Sequence, residues 1–216
     1  MAENLFETRY DLTKKSKIKE FYNKNKILIF TFIFLLTITF FGFLYYQESN
    51  ENKKILLSDK YIQAKVYLDK EEKLKASQIL KEVIFANDST YSTLSFFMIL
   101  NENLIEDSGE VSKLFDHLLK NNKYEKEVKN LLIYKKALYK SDFVKESKLL
   151  NEIKPLLNDK ESIWRVYALL LLADFYFEKK NYMKAKNLYK EILLIKNLRS
   201  NFYKEAQSKL SSIADD

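Results

Sequence analysis

Hydrophobic and polar positions follow two different patterns along the chain. Residues 27–46 (ILIFTFIFLLTITFFGFLYY) contain no charged side chain. From residue 57 onward, apolar residues recur every three or four positions between charged ones, which is the spacing of one face of an α-helix. With few glycines and prolines to mark strands or hairpins, the chain is predicted to be all-α. We expect one apolar helix followed by a series of amphipathic helices.

The apolar stretch is long enough to cross a membrane. As a helix, its 20 residues would extend about 30 Å, the thickness of the hydrocarbon layer of a bilayer. The alternative is a buried core helix, but globular helices are seldom apolar on every side over this length. The three threonines within it can each bond to a carbonyl one turn earlier, so they do not argue against a transmembrane helix.

The flanking charges predict how this helix is oriented. The 20 residues before it carry seven Lys or Arg, and the 20 after it carry four. This bias favours a cytoplasmic N-terminus with the rest of the chain across the membrane. The run is longer than the apolar region of a cleaved signal peptide, and no small-residue cleavage site follows it. We therefore expect a retained signal anchor in a bacterial inner membrane, in contact with membrane lipid, and a periplasmic C-terminal domain.

Four segments follow from these patterns. Residues 1–26 form a basic cytoplasmic segment, either a mobile tail or a short amphipathic helix that uses Leu5, Phe6, Leu12, Ile18 and Phe21. Residues 27–46 form the transmembrane anchor. Residues 47–56 form a linker or a continuation of the same helix. Residues 57–216 form one helical domain, large enough to bury a core.

Two stretches of this domain repeat the spacing of the tetratricopeptide motif, W-x2-L-G-x2-Y followed by A-x3-F. The clearer stretch runs from Leu169 to Ile192, and the other recurs around residues 64–84. In such repeats, small residues let two antiparallel helices approach closely, and larger side chains fill the space beside them. The residues predicted to make this packing are Ala64, Tyr67, Ala76, Leu80, Leu169, Leu172, Ala173, Tyr176, Ala185 and Tyr189.

Two less regular units are predicted between these repeats. The first has Ser92 to Leu104 as its first helix and Val111, Phe115 and Leu118 on its second. The other has Val128 to Leu138, followed by Phe143, Leu150 and Ile153. If Ala76, Val111, Glu146 and Ala185 are equivalent, the repeats are 35, 35 and 39 residues long.

The chain would then form an α-solenoid of about four helical hairpins, capped by a final helix with Phe202, Ala206, Leu210 and Ile213. An antiparallel helical bundle of another kind remains open, because alanines and aromatic residues at helical spacing also suit it.

Charge and composition exclude several classes of function. The formal net charge is +7, but the part after residue 46 carries 30 basic and 26 acidic side chains, spread along the chain. A nucleic-acid-binding protein usually gathers its basic residues in one stripe or patch, so we expect no nucleic-acid partner. The chain has no cysteine, which excludes disulfides and thiolate chemistry.

Candidate catalytic chemistry is sparse. The single histidine, His117, lies in a helical core pattern with no second metal-ligating histidine nearby. The two glycines do not form a phosphate-binding loop, and the carboxylates alternate with lysines as on a solvated helix face. We therefore predict that the chain is not an enzyme and has no catalytic residues, no metal and no cofactor. Trp164 is expected to be a packing anchor.

Apolar residues exceed what repeat packing requires. Residues 167–177 (YALLLLADFYF) are apolar on every face except at Asp174. One hypothesis is a concave surface that binds apolar polypeptide, whether a helix of another subunit or an unfolded exported client. The alternative is a tightly curled solenoid that fills its own groove. The predicted surface residues are Tyr61, Ile62, Leu68, Phe96, Phe97, Leu100, Leu131, Leu132, Leu170, Leu171 and Phe177.

This layout resembles the YfgM-like family of ancillary SecYEG translocon subunits, single-pass inner-membrane proteins of bacteria. The resemblance rests on four features. They are Phe6-Glu7 with the basic run that ends in Phe21-Tyr22-Asn23-Lys24, the signal anchor, the first repeat from Tyr61 to Ile84, and the last repeat with Ala173 and Ala185. The middle repeats are degenerate and the N-terminal segment is poor in acidic residues, which departs from the family pattern.

The resemblance implies association with the SecYEG translocon and with a membrane-anchored periplasmic chaperone, in assistance to newly exported proteins. It implies no catalytic residues. The residue pattern alone leaves an alternative open, in which the chain is a scaffold or assembly factor for another cell-envelope complex.

Overall fold

The computed structural model describes residues 17–214, and within that range all regular secondary structure is helical, as predicted. The nine helices of this range are α1 (Lys17–Asp69), α2 (Lys73–Phe85), α3 (Tyr91–Asn101), α4 (Ser108–Asn121), α5 (Lys126–Lys140), α6 (Glu146–Asn158), α7 (Ile163–Glu178), α8 (Tyr182–Leu193) and α9 (Ser200–Ala214). The chain divides into two compact units, Met1–Leu56 and Leu57–Asp216.

The first unit contains the apolar helix. Among the described residues, α1 is the one helix long and apolar enough to span a membrane, and the side chains of its most apolar stretch are not covered by protein. Its threonines bond as expected, with Thr31 Oγ1 donating to the Ile27 carbonyl at 2.9 Å. The backbone departs from helical geometry at Asn25, just before the apolar stretch.

Helix α1 continues through residues 47–56, so this segment is helical rather than an irregular linker. Of the residues proposed for an N-terminal amphipathic helix, Ile18 and Phe21 lie in α1, whereas Leu5, Phe6 and Leu12 lie outside the described residues.

The second unit is a series of helices, each packed against its neighbours in the chain. The end of α1 and helix α2 contribute to one hydrophobic cluster together with α3, α4 and Leu132 of α5. A second cluster joins α5 through α9. Helices that follow one another in the chain pack together from α2 to α9, and α5 also packs against α7. The core thus runs along the series of helices as two neighbouring clusters.

The predicted small residues lie where helices meet. Ala64, Ala76, Ala173 and Ala185 are completely buried. The larger partners Leu80, Leu169, Leu172, Tyr176 and Tyr189 are buried as well, and Tyr67 is half-buried. A side chain larger than a methyl group at an alanine position would meet the neighbouring helix, because protein interiors are close-packed.

The first and last helix pairs share one turn geometry. Glu71 and Lys180, 109 residues apart, both adopt a left-handed backbone, with φ of 61° and 59°. After Glu71, the amide of Glu72 donates to the carbonyl of Tyr67 at 2.9 Å, and the equivalent bond in the last pair measures 2.8 Å. This is the Schellman pattern of a helix C-terminus. It occurs a third time at Asn103, with φ of 50°.

The side chains around these turns repeat too. The Lys75 ammonium lies 5.5 Å from the centre of the Tyr67 ring. In the last pair, the Lys184 ammonium lies 4.7 Å from the Tyr176 ring. The first and last helix pairs are therefore similar in turn geometry and in cation–π contact, although separated by more than 100 residues of sequence.

Two predictions about the third pair are wrong. Phe143 is not on its second helix but precedes α6, where it is exposed and contacts the Tyr139 ring. Glu146 is not equivalent to Ala76, because it begins α6 whereas Ala76 is the fourth residue of α2. The fourth residue of α6 is Leu149, which is completely buried. The connection between α5 and α6 is longer than periodicity alone implied, and this shifts the register.

Candidate functional site

Four residues predicted for the open surface lie in the core instead. Phe96 and Leu132 are 0% exposed, and Leu170 and Leu171 are each 6% exposed. A partner cannot reach Phe96 or Leu132 without unfolding the helices around them. Because successive residues on a helix point about 100° apart, a one-position error in register exchanges a core side chain for a surface one.

The excess apolarity of α7 has an internal explanation. This helix packs against α5, α6 and α8, and nine of its 16 residues are buried. Asp174, the one charged residue of the apolar stretch, accepts a 2.5 Å hydrogen bond from the Tyr189 hydroxyl. Helix α7 is apolar on nearly every side because it is the centre of its cluster. Contacts within the domain therefore account for the apolarity of this helix, with no need for a partner.

The other predicted surface residues remain at least partly accessible. Ile62 is exposed, and Tyr61, Leu68, Phe97, Leu100, Leu131 and Phe177 are half-buried. Two of these, Phe97 and Leu100, line the same cleft. We name this cleft, between α3, α4 and α5, the apolar cleft.

The apolar cleft has a volume of 620 Å³, within the range of pockets that hold small ligands or side chains. Leu138 on α5 closes one side and is 40% exposed. Its lining residues are Phe97, Ile99, Leu100, Asn101, Asn103, Ile105, Glu106, Val111, Lys135, Leu138 and Tyr139. This arrangement can accept a bulky apolar side chain while the rim bonds to polar groups.

Leu138 and Ile105 were missed by the sequence prediction. A signal for Leu138 was present, because it lies seven positions after the predicted Leu131 and so shares its helix face. Ile105 belongs to the irregular connection between α3 and α4. No helical period can place a residue in such a connection.

A second cleft, of 500 Å³, lies between α5 and α7 and shares Leu138 with the first. We name it the acidic cleft. Its lining residues are Leu138, Ser141, Asp142, Leu171, Asp174, Phe175, Glu178 and Lys179. Asp174 is already bonded, because Tyr189 donates to it and the Lys209 ammonium lies 3.3 Å away. Asp142 and Glu178 are exposed, and neither forms an ion pair with another residue in the described range.

Helix α5, which lines both clefts, forms ion pairs with α4 and α6. The ammonium of Lys136 lies 2.7 Å from Asp116 and 2.5 Å from Glu152, and that of Lys140 lies 2.8 Å from Glu152. The two lysine side chains are only 10% and 6% exposed. These ion pairs join α4, α5 and α6.

The same contacts shift the pKa values of Glu152 and Lys136. Burial would raise the pKa of Glu152, but hydrogen bonds from Lys136 and Lys140 outweigh it and the pKa is lowered. Burial would lower the pKa of Lys136, but its bonds to Asp116 and Glu152 raise the pKa instead. Both groups are therefore held in their charged forms.

His117 makes structural contacts. Its Nε2 lies 2.8 Å from the Asn87 side-chain oxygen, and its Nδ1 lies 3.0 Å from the Asn121 amide nitrogen. The ring also packs edge-on against Phe85. Between residues 17 and 214, no group of three or more histidine and acidic side chains could hold a metal ion.

Trp164 packs with Tyr134 and Tyr167, and its indole N–H donates to Glu127 at 2.6 Å. This is the packing role predicted for it. It links the start of α7 to the start of α5.

Comparison of the chain with protein-family models, with curated proteins and with solved structures finds no match.

Proposed function

We propose that this protein is a membrane-anchored protein-interaction module. The observation that carries the proposal is the apolar cleft, which is open on the helical unit of a chain that also has a helix suited to a bilayer. Half-exposed Leu138 at its edge is a side chain that gains free energy when another surface covers it. Open apolar clefts between helices are a common way to hold a segment of another polypeptide.

We propose further that the helix pairs are tetratricopeptide-like repeats forming a solenoid with α9 as its cap. Support comes from the buried alanines and from the turn geometry shared by the first and last pairs. When Leu149 replaces Glu146 in the repeat alignment, the equivalent positions of the four second helices lie 35, 38 and 36 residues apart. These distances are close to the usual repeat length of about 34 residues.

The cellular setting follows from the flanking charges and the family resemblance. We propose that the chain lies in a bacterial inner membrane with its N-terminus in the cytoplasm and its helical unit in the periplasm. Its partners would be the SecYEG translocon and a membrane-anchored periplasmic chaperone. The complex would assist unfolded exported proteins, and the helical unit would bind rather than transform them.

Site-specific photo-crosslinking in living cells tests this function. A benzophenone amino acid at Leu138 is expected to trap a translocon subunit or the membrane-anchored chaperone, because this side chain lies at the shared edge of both clefts. The same amino acid at Leu74, which is 74% exposed on α2, serves as a matched surface control.

Crosslinks that are equally strong from Leu74, or none from Leu138, would contradict the proposed site. Specific crosslinks from Leu138 to a different envelope protein would instead favour the scaffold function.

A further inference from the structure

The two clefts differ in chemistry although they share one residue. On one side of Leu138, the walls formed by Phe97, Leu100 and Ile105 are apolar. On the other side, the acidic cleft presents the exposed carboxylates of Asp142 and Glu178. A ligand that covers Leu138 therefore meets an apolar pocket and negative charge as immediate neighbours.

The carboxylates of the acidic cleft are available to a ligand. Lys179, the one cation that lines it, places its ammonium 5.8 Å from the Phe175 ring. Lys209 is paired with Asp174 rather than with Asp142 or Glu178. Within the described range, these two carboxylates are thus not neutralised by an ion pair at either position.

This local charge is opposite in sign to the net charge of the chain beyond residue 46. The chain beyond residue 46 carries more basic than acidic side chains, 30 against 26. The acidic cleft is lined by three carboxylates, from Asp142, Asp174 and Glu178, and one ammonium. Charge complementarity therefore favours a cationic group at this position.

We propose that the joined clefts bind a polypeptide segment in which a bulky apolar residue has lysine or arginine beside it. The apolar side chain enters the apolar cleft against Leu138, and the cation lies between Asp142 and Glu178. This inference rests on the proposed function, that the chain binds polypeptide, and it adds the chemistry of the segment. It also distinguishes this segment from a purely apolar one, for which the acidic cleft would offer nothing.

Direct binding of synthetic peptides tests the proposal. The full-length protein is reconstituted in lipid nanodiscs, and fluorescence anisotropy measures its affinity for three short peptides. The first carries central Phe and Leu followed by two Lys. The second has Glu in place of Lys, and the third keeps Lys but has Ser in place of Phe and Leu. We expect the first to bind about fivefold more tightly than either of the others.

Charge reversal identifies the site. The double substitution Asp142→Lys, Glu178→Lys is expected to lower the affinity for the lysine peptide about fivefold and to raise the affinity for the glutamate peptide. Leu138→Ser should lower the affinity for both peptides. Asp59→Lys, a reversal at an exposed position on α1, should change neither. Circular dichroism and the emission of the single tryptophan verify that each variant is folded.

Equal affinity for the lysine and glutamate peptides, or unchanged preference in the double variant, would overturn the proposal. So would no binding of any peptide, or a cleft occupied by a second copy of this chain in a Leu138 crosslink. The proposed function fails by a different result, which is the absence of translocon or chaperone crosslinks from Leu138 in cells.

Discussion

At the residue scale, the most consequential side chain outside the clefts is Glu152. It is the shared partner of two lysines that are almost completely buried, Lys136 and Lys140. Taking an ammonium out of water is costly unless an opposite charge accompanies it. Glu152 of α6 therefore helps to fix the position of α5, together with Asp116 of α4, which also pairs with Lys136.

Removal of that carboxylate is expected to destabilise the fold. Glu152→Gln should lower the free energy of unfolding by about 3 kcal/mol, because it leaves a buried lysine without its counter-charge. Urea unfolding followed by Trp164 emission measures the change. Glu82→Gln, which breaks the exposed pair with Lys60, is the control and should cost less than about 1 kcal/mol. Similar losses in the two variants would contradict this account of Glu152.

The pH dependence of this loss has a defined sign. The pKa of Glu152 is lower in the folded protein than its ordinary value, so its contribution is complete above about pH 4.3. It disappears as the pH falls through the folded pKa. The difference in stability between wild type and Glu152→Gln should therefore be constant near neutral pH and should shrink in acid. A difference that grows on acidification would contradict the lowered pKa.

The binding residues show how far sequence reasoning reaches at this scale. Phe97 and Leu100 were predicted for the surface and line the apolar cleft, whereas their neighbour Phe96 is in the core. Phe96 and Phe97 are chemically identical, so composition cannot separate them. Only the packing of α4 against α3 decides which ring is covered, because it brings the ring centres of Phe96 and Phe115 to 4.4 Å from each other.

At the element scale, the recurring turns are under local strain that a substitution can relieve. Glu71 and Lys180 have positive φ, which is unfavourable for residues with a Cβ atom. Glycine adopts this conformation freely. Glu71→Gly and Lys180→Gly are each expected to raise stability by up to about 1 kcal/mol.

A thermal unfolding series measures this effect, with Glu71→Val and Lys180→Val as the opposing pair. Valine is strongly disfavoured at positive φ, so both valine variants should be less stable than wild type. If glycine and valine had the same effect at either position, backbone conformation would not be the cause.

The helix pairs should also tolerate no larger side chain at their contacts. Ala173→Leu and Ala185→Leu would insert extra carbons where the alanine is completely buried. Each should cost about 2 kcal/mol or more, because overpacking moves the helices apart. Ala86→Leu, at an exposed position after α2, is the matched control and should be nearly neutral. Urea unfolding of the three variants compares them.

At the scale of the whole molecule, the proposed orientation can be tested with single cysteines, because the chain has none of its own. A membrane-impermeant maleimide added to spheroplasts should label Ser147→Cys, an exposed position on α6. It should label Lys14→Cys only after detergent is added. Labelling of Lys14→Cys in intact spheroplasts, or protection of Ser147→Cys, would reverse the proposed topology.

The sequence by itself determined the all-α class, the long apolar helix and the small residues at which helices meet. These features depend on periodicity and side-chain size, which are local properties of the chain. The tertiary structure decided which of two adjacent apolar residues is covered and which residue of α6 occupies the repeat position. It also decided that α7 is enclosed by its neighbours. Each depends on contacts between segments far apart in the chain, and a helical step of about 100° turns a small register error into a change from core to surface.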